Sequence, residues 1–192
     1  MRQLTRDEAV VLGLLSQFRR PVLRTKLVKL IYLLDNLRFE NTGEQATDFR
    51  YIWDYYGPNA LGNAITDTLA SLAARDLVSM TEKLTPYENY AHYYKVGASV
   101  DVSKLPLDVH DWAFITAIVG KYGKLNRSAV VAASKQTTPM KRAARFALLE
   151  LQPNATVDAL KESFFADPHF VEQTRQAAAA SGQATEWNDM TA

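Results

Sequence analysis

The sequence contains no cysteine among its 192 residues. This absence excludes a disulfide framework, a thiolate nucleophile and a cysteine-ligated zinc site. Long apolar runs are also missing, since none approaches the roughly 20 residues that a membrane-spanning helix needs. The N-terminus lacks the basic, apolar and small-residue succession of a secretory signal peptide. We therefore expect a cytoplasmic protein that does not enter a membrane.

Catalytic signatures are equally scarce. The three histidines, His92, His110 and His169, stand apart from one another without metal-ligand spacing. There is no nucleophile elbow, dinucleotide-binding glycine loop or phosphate-binding loop. Asp108 and Asp111 lie near a predicted helix start, where the helix dipole favours carboxylates without any catalytic role. We expect a protein that is not an enzyme, with no cofactor, no metal and no small-molecule substrate.

The charge that is present is unevenly distributed along a globular composition of 47% hydrophobic and 22% charged residues. Residues 121–146 hold seven basic residues and no acid, whereas residues 147–192 hold two basic and seven acidic residues. A basic segment of this kind is either a solvated helix face or a surface for an anionic partner.

Two helices are predicted before residue 40. Thr5 and Glu8 have capping-box spacing, which predicts a first helix that runs to about Phe18. The second helix is predicted from apolar residues that recur along one helical face, and it should form the centre of the core. These residues are Leu23, Leu27, Leu30, Ile31, Leu34 and Leu37.

An aromatic strand is predicted next, because rings occupy every second position of residues 49–55. We expect the four rings to be buried and the alternate residues to face outward. Gly57 and Pro58 should end the strand and begin a helix that reaches about Arg75, since proline is tolerated in a first helical turn. Strands at 77–81 and 92–96 should form a hairpin beside the aromatic strand. The four rings are Phe49, Tyr51, Trp53 and Tyr55.

The predicted fold is therefore mainly α with a small antiparallel β-sheet. We expect N-terminal helices and a three-stranded sheet in residues 1–97, a linker at 98–106, a helical part packed on them at 107–180, and a frayed tail at 181–192 that carries Trp187. Helices after the linker are predicted at about 107–120, 127–135, 139–150 and 156–165, with a further helix that begins at Asp167.

The order of several short motifs resembles the Panacea antitoxin domain, the family of SocA-like and phage-associated GepA-like proteins. The motifs are Lys26-Leu27, Lys29-Leu30-Ile31-Tyr32, Asp48, Tyr51-Ile52-Trp53 and Tyr56-Gly57-Pro58, followed by an amphipathic helix and a hairpin. The resemblance covers roughly residues 7–145. It implies a non-catalytic antitoxin that binds and blocks a cognate toxin protein, or that delivers the toxin to an ATP-dependent protease.

We expect the partner-binding residues to lie on the outward face of the aromatic strand and on the adjacent part of the central helix. Tyrosine and tryptophan bring large contact areas with few rotatable bonds, which makes them common interface hot spots. The candidate partner-binding residues are Lys29, Tyr32, Arg50, Asp54, Tyr56, Gly57 and Pro58.

The alternative function is a DNA-binding regulator. Residues 125–146 have the length of a helix-turn-helix, with basic residues on the second helix where phosphate or base contacts are made. The hairpin that precedes this segment would then act as a wing. The candidate nucleic-acid-binding residues are Arg127, Lys135, Lys141, Arg142 and Arg145.

Overall fold

The structure is a computed structural model in which residues 3–86 and 89–151 are described. The helices in this part of the chain are α1 (Arg6–Ser16), α2 (Arg24–Thr42), α3 (Ala64–Ala74), α4 (Val109–Tyr122), α5 (Arg127–Ser134) and α6 (Thr138–Arg142). The strands are β1 (Val22–Leu23), β2 (Tyr51–Asp54), β3 (Gly57–Ala60), β4 (Val78–Leu84), β5 (Tyr90–Val96) and β6 (Leu148–Leu149). Short 3₁₀ turns occur at Leu61–Asn63 and Val102–Lys104.

Local signals explain where α1 begins and where α2 ends. The Thr5 hydroxyl accepts a hydrogen bond from the Glu8 amide at 3.2 Å, and the Glu8 carboxylate accepts one from the Thr5 amide at 3.0 Å. The predicted capping box is thus confirmed. Helix α2 ends at Thr42 and is capped by Gly43, whose φ of +77° is the left-handed conformation that glycine adopts without strain.

Helix α2 is the centre of the core, as its apolar periodicity predicted. Leu27, Leu30, Ile31 and Leu34 are completely buried. The helix contacts α4 and α5 as well as β1, β3 and β5, so it joins elements from both halves of the described chain. The mainly α fold with small antiparallel sheets is confirmed, while the division of the chain into domains stays a prediction.

The strands form two antiparallel three-stranded sheets, with strand orders β1-β5-β4 and β3-β2-β6. The predicted arrangement was wrong on this point, because the β4–β5 hairpin does not pair with the aromatic strand. Instead β5 pairs with β1, and the aromatic strand β2 lies between β3 and β6. The β2–β3 hairpin and the β4–β5 hairpin therefore belong to different sheets, and each sheet is completed by a strand from a distant part of the chain, β6 in the first case and β1 in the second.

Two predicted helices differ from the structure. Gly57 and Pro58 do not begin a helix but lie in strand β3, an edge strand in which a proline without an N–H is tolerated. The helix predicted at 139–150 ends at Arg142, and Leu148–Leu149 form strand β6 instead. The helices predicted at 156–165 and from Asp167, and the tail with Trp187, lie outside the described residues.

Within the described ranges, none of the helices combines the length and the apolar character required to cross a membrane.

Candidate functional site

Three side chains of α2 hold the β2–β3 hairpin in place. They are spaced three residues apart, so they follow one another along one side of the helix. The Lys29 ammonium donates a hydrogen bond to the Pro58 carbonyl at 2.5 Å. The Tyr32 ring meets the Tyr51 ring edge to face, with 5.0 Å between the centroids. The Asp35 carboxylate accepts a hydrogen bond from the Tyr51 hydroxyl at 2.5 Å.

The Asp35 side chain is completely buried. Besides the Tyr51 hydroxyl, its carboxylate accepts the Thr47 amide at 2.9 Å and the Thr47 hydroxyl. Burial raises the pKa of Asp35 to about 6, although the hydrogen bonds from Thr47 and Tyr51 favour the charged form and oppose the shift. Burial, followed by the negative charge of Asp35, raises the pKa of Tyr51 well above its usual value, so this hydroxyl keeps its proton and acts as the donor.

Lys29 is also buried, with only 3% of its surface exposed. Burial lowers its pKa to about 8, the charge of Asp54 opposes the shift, and the charge of Lys135 adds to it. An ammonium group has three N–H donors. Within the described part of the chain, the bond to Pro58 is the only hydrogen bond of the Lys29 ammonium, and no carboxylate lies within 4 Å of it.

The tip of the hairpin is a tight turn from Asp54 to Gly57. Aspartate at the first position and glycine at the fourth are the residues that the commonest β-turn prefers. The Asp54 carboxylate accepts hydrogen bonds from the Tyr55 amide at 2.6 Å and from the Asn59 side-chain amide at 3.2 Å. Gly57 has a φ of +96°, and a Cβ at this position would lie 3.2 Å from Cγ of Lys135. The turn thus requires glycine.

Aromatic side chains are presented to solvent at this tip. Tyr55 is 65% exposed, Tyr56 73% and Phe146 54%. The Phe146 ring meets the Tyr55 ring edge to face at 5.0 Å, and the Arg145 guanidinium lies 4.9 Å from the Tyr55 centroid, within cation–π range. We call Tyr55, Tyr56, Arg145 and Phe146 the tip patch.

Backbone hydrogen bonds fix Phe146 beside the hairpin. The Phe146 amide donates to the Trp53 carbonyl at 2.9 Å, and the Trp53 amide donates to the Ala147 carbonyl at 3.0 Å. Phe146 also has a φ of +67°, which is uncommon for a bulky residue and strains the backbone. A strained conformation that exposes an aromatic ring is a feature often found at functional sites.

The burial predicted for the aromatic strand is confirmed for two rings and wrong for a third. Phe49 and Tyr51 belong to the core, and Trp53 is partly buried against it. Tyr55 is exposed because the chain turns at this residue and does not continue the strand. The sequence Asp-Tyr-Tyr-Gly is compatible with this turn. We did not predict the turn, because we interpreted Gly57 and Pro58 as the end of a strand and the start of a helix.

The predicted partner-binding residues divide into an exposed and a buried group. Arg50 and Tyr56 are exposed, and Asp54 is partly exposed. The other four, which are Lys29, Tyr32, Gly57 and Pro58, are buried. The Tyr32 hydroxyl is 2.6 Å from the Thr137 hydroxyl, so this residue joins α2 to the start of α6. The buried group positions the hairpin, and the exposed group is accessible from outside.

Three of the predicted residues also meet in a cleft beside the hairpin. The cleft has a volume of about 270 Å³ and includes Lys29, Asp54 and Tyr56 in its walls. Arg24, at the start of α2, and Asn59 contribute further polar walls. Sequence spacing did not reveal Arg24 and Asn59, because they approach the cleft from separate elements.

The predicted helix-turn-helix is incomplete. Helix α5 forms as predicted, but α6 has only five residues, so the second helix lacks the length that a recognition helix offers to a DNA groove. All five candidate basic residues are exposed, and Arg145 lies beyond the end of α6 in the tip patch. The five are Arg127, Lys135, Lys141, Arg142 and Arg145.

Comparison with known families identifies the family of this chain. The model of the antitoxin SocA-like family, Panacea domain, matches residues 27–139, which is more than half of the chain. The chain belongs to this family. The resemblance noted in the sequence is thus confirmed, and Panacea membership supports an antitoxin-type role with a protein partner. Comparisons with curated proteins and with solved structures gave no match.

The Panacea match begins at Leu27, within α2, covers both hairpins and α5, and ends at Pro139. Two members of the tip patch, Tyr55 and Tyr56, lie inside the match. Arg145 and Phe146 lie just beyond it. The patch therefore combines a hairpin within the matched residues and a segment just beyond them, which reaches the edge of the same sheet.

Proposed function

We propose that this Panacea protein binds a cognate toxin polypeptide through the tip patch and thereby neutralises it. The observation that carries the proposal is the exposure of two adjacent tyrosines at a tight turn, with an arginine and a phenylalanine packed against the first of them. Tyrosine and arginine are enriched among the residues that contribute most to binding energy.

Packing among Tyr55, Arg145 and Phe146 limits the side-chain entropy that these three residues lose on binding. Each tyrosine has two side-chain torsions to order, and the Tyr55 ring already packs against Phe146 and Arg145. Beneath the tip, the Lys29 ammonium donates a hydrogen bond to the Pro58 carbonyl, and the Tyr51 hydroxyl donates one to the Asp35 carboxylate. These two bonds connect the hairpin to the central helix. A preorganised aromatic surface loses little conformational entropy on binding, so more of its contact energy contributes to affinity.

A stable interface buries about 800 Å² on each partner. The tip patch supplies the apolar centre of such an interface, and neighbouring polar residues supply the rim. Asp54 is partly exposed at the turn, and Arg50 is exposed just before β2, at the end of the strand away from the turn. This division between an aromatic centre and a charged rim is the usual anatomy of a protein–protein interface.

Growth assays with the neighbouring reading frames of the native host test the proposal. Each frame is expressed alone and together with this protein, and a cognate toxin is the frame that stops growth alone but not in co-expression. Tagged pull-down of the pair then checks direct binding. If no neighbouring frame is both toxic and neutralised, the proposed function is wrong.

The same pair separates two modes of neutralisation. If the protein blocks the toxin by binding, the toxin persists in the co-expressing cells. If the protein is an adaptor for proteolysis, the toxin disappears, and it reappears in a strain that lacks the ATP-dependent protease concerned. A time course of toxin abundance after translation is stopped distinguishes the two modes.

A further inference from the structure

The cleft beside the hairpin has an unbalanced set of charges. Arg24 and Lys29 are in its walls, and the charge of Lys135 acts on Lys29 from close by. Asp54 is the acidic member of this group, and its carboxylate already accepts two hydrogen bonds within the hairpin. Three positive charges thus stand against one negative charge that is already engaged.

Lys29 makes the imbalance energetically important. A buried ammonium that lacks a close counter-ion is unfavourable, because the interior replaces little of its lost hydration. In the described residues, Lys29 has one carbonyl acceptor for its three donors and no carboxylate within 4 Å. An anion that enters the cleft would supply the missing acceptor and the missing charge.

The cleft is large enough for a small organic anion. Its volume of about 270 Å³ corresponds to roughly nine water molecules at their share of liquid volume. This is enough for a carboxylate with a few attached carbons. Asn59 and Thr66 in the walls add neutral hydrogen-bonding groups, and Tyr56 joins the cleft to the tip patch.

We propose that this cleft binds a carboxylate group of the partner protein, with Arg24 and Lys29 as its cationic contacts. The inference rests on the proposed function, because it places the carboxylate beside the surface that the tip patch offers to a toxin. The carboxylate belongs either to an acidic side chain or to the C-terminus of the partner. In both cases it docks next to Tyr56, so the aromatic contact and the charge contact act together.

Three peptides titrated against the full chain, followed by NMR, test this inference. They are acetyl-Gly-Glu-Gly-amide, acetyl-Gly-Gly-Gly with a free carboxylate, and acetyl-Gly-Gln-Gly-amide as the uncharged control. We expect saturable shifts of the Asn59 side-chain amide and the Thr66 backbone amide with at least one carboxylate peptide and not with the control. The peptide that binds more tightly identifies the source of the carboxylate.

Variants make the result specific to the cleft. Arg24→Ala should weaken carboxylate binding about fivefold or more, because it removes an ionic hydrogen-bond donor from an exposed position. Asp54→Asn should strengthen binding about threefold, since it removes the competing negative charge. Lys124→Ala, which alters an exposed lysine outside the cleft walls, should change nothing.

The outcome also separates this inference from the proposed function. Absence of saturable shifts, or equal shifts with the glutamine control, overturns the carboxylate cleft even if a toxin still binds through Tyr56. Carboxylate binding that responds to Arg24→Ala and Asp54→Asn supports the cleft even if the neighbouring reading frames provide no toxin.

Discussion

Removing the Asp35 carboxylate should destabilise the protein, because this side chain holds the β2–β3 hairpin against α2. The side chain is completely buried and accepts the Thr47 amide, the Thr47 hydroxyl and the Tyr51 hydroxyl. Asp35→Ala leaves three buried donors without their acceptor, at about 1–3 kcal/mol each. Because the hydroxyls can rotate and a buried charge is removed at the same time, we expect a net loss of about 3–5 kcal/mol at neutral pH.

Asp35→Asn is the matched control, since it keeps the shape and one carbonyl acceptor. Both variants can be compared with the natural chain by urea denaturation, monitored by tryptophan fluorescence and circular dichroism. The midpoint should fall strongly for Asp35→Ala and much less for Asp35→Asn, at an unchanged slope. A loss below about 1 kcal/mol for Asp35→Ala would contradict the role assigned to this network, because that is within the range of a single ordinary hydrogen bond.

The same residue predicts a pH dependence with a definite sign. The folded pKa of Asp35, about 6, is above its usual value of 3.8, so the folded state binds this proton more tightly than the unfolded state. Its contribution to the free energy of unfolding is therefore fully present below about pH 4 and is lost as the pH rises to about 6, by roughly 3 kcal/mol. Subtracting the Asp35→Asn profile isolates this term, and a difference profile that is flat from pH 4 to 7 would refute it.

Three further results are expected. Gly57→Ala should lower the melting temperature more than Gly62→Ala. Both positions have positive φ, but only a Cβ at position 57 meets other side chains, those of Lys135 and Ser134. Equal shifts in thermal denaturation would show that these contacts are unimportant. Tyr32→Phe should cost about 1 kcal/mol in urea denaturation, because it leaves the Thr137 hydroxyl without its tyrosine partner, and an unchanged midpoint would argue against this bond. Duplex DNA should show no saturable binding in mobility-shift titrations at 0.15 M salt, and tight binding with a steep salt dependence would favour the regulator instead.

Local sequence signals predicted the helical part of the fold well. The capping box at Thr5 and the apolar periodicity of α2 act within a few residues of chain, so their outcome depends little on distant segments. The strand at residues 51–54 followed from ring alternation for the same reason.

The hairpin tip was not predictable in the same way, because Gly57-Pro58 is compatible with two structures. Proline suits the first turn of a helix, and it also suits an edge strand. The choice between them is made by tertiary contacts, namely the pairing of β3 with β2 and the bond from Lys29 to the Pro58 carbonyl.

Long-range pairing also concealed part of the candidate site. Strand β6 has only two residues and pairs with β2, which lies about a hundred residues earlier in the chain. So short a strand has no recognisable sequence pattern, and its distant partner cannot be read from the sequence. This pairing brings Arg145 and Phe146 to Tyr55. Asp35 was likewise hidden, since a single acidic residue within an apolar helix gives no sign of the hydrogen bonds it accepts.

The most direct test of the proposed function is the affinity of the tip patch for the cognate toxin, measured by calorimetry with Tyr56→Ala and with Tyr90→Ala as a matched control. Both tyrosines are more than 60% exposed at hairpins, so neither change should alter folding. We expect Tyr56→Ala to weaken binding about 30-fold, or about 2 kcal/mol, as a hot-spot truncation does, and Tyr90→Ala to leave it unchanged. Equal affinities for Tyr56→Ala and the natural chain would contradict the account.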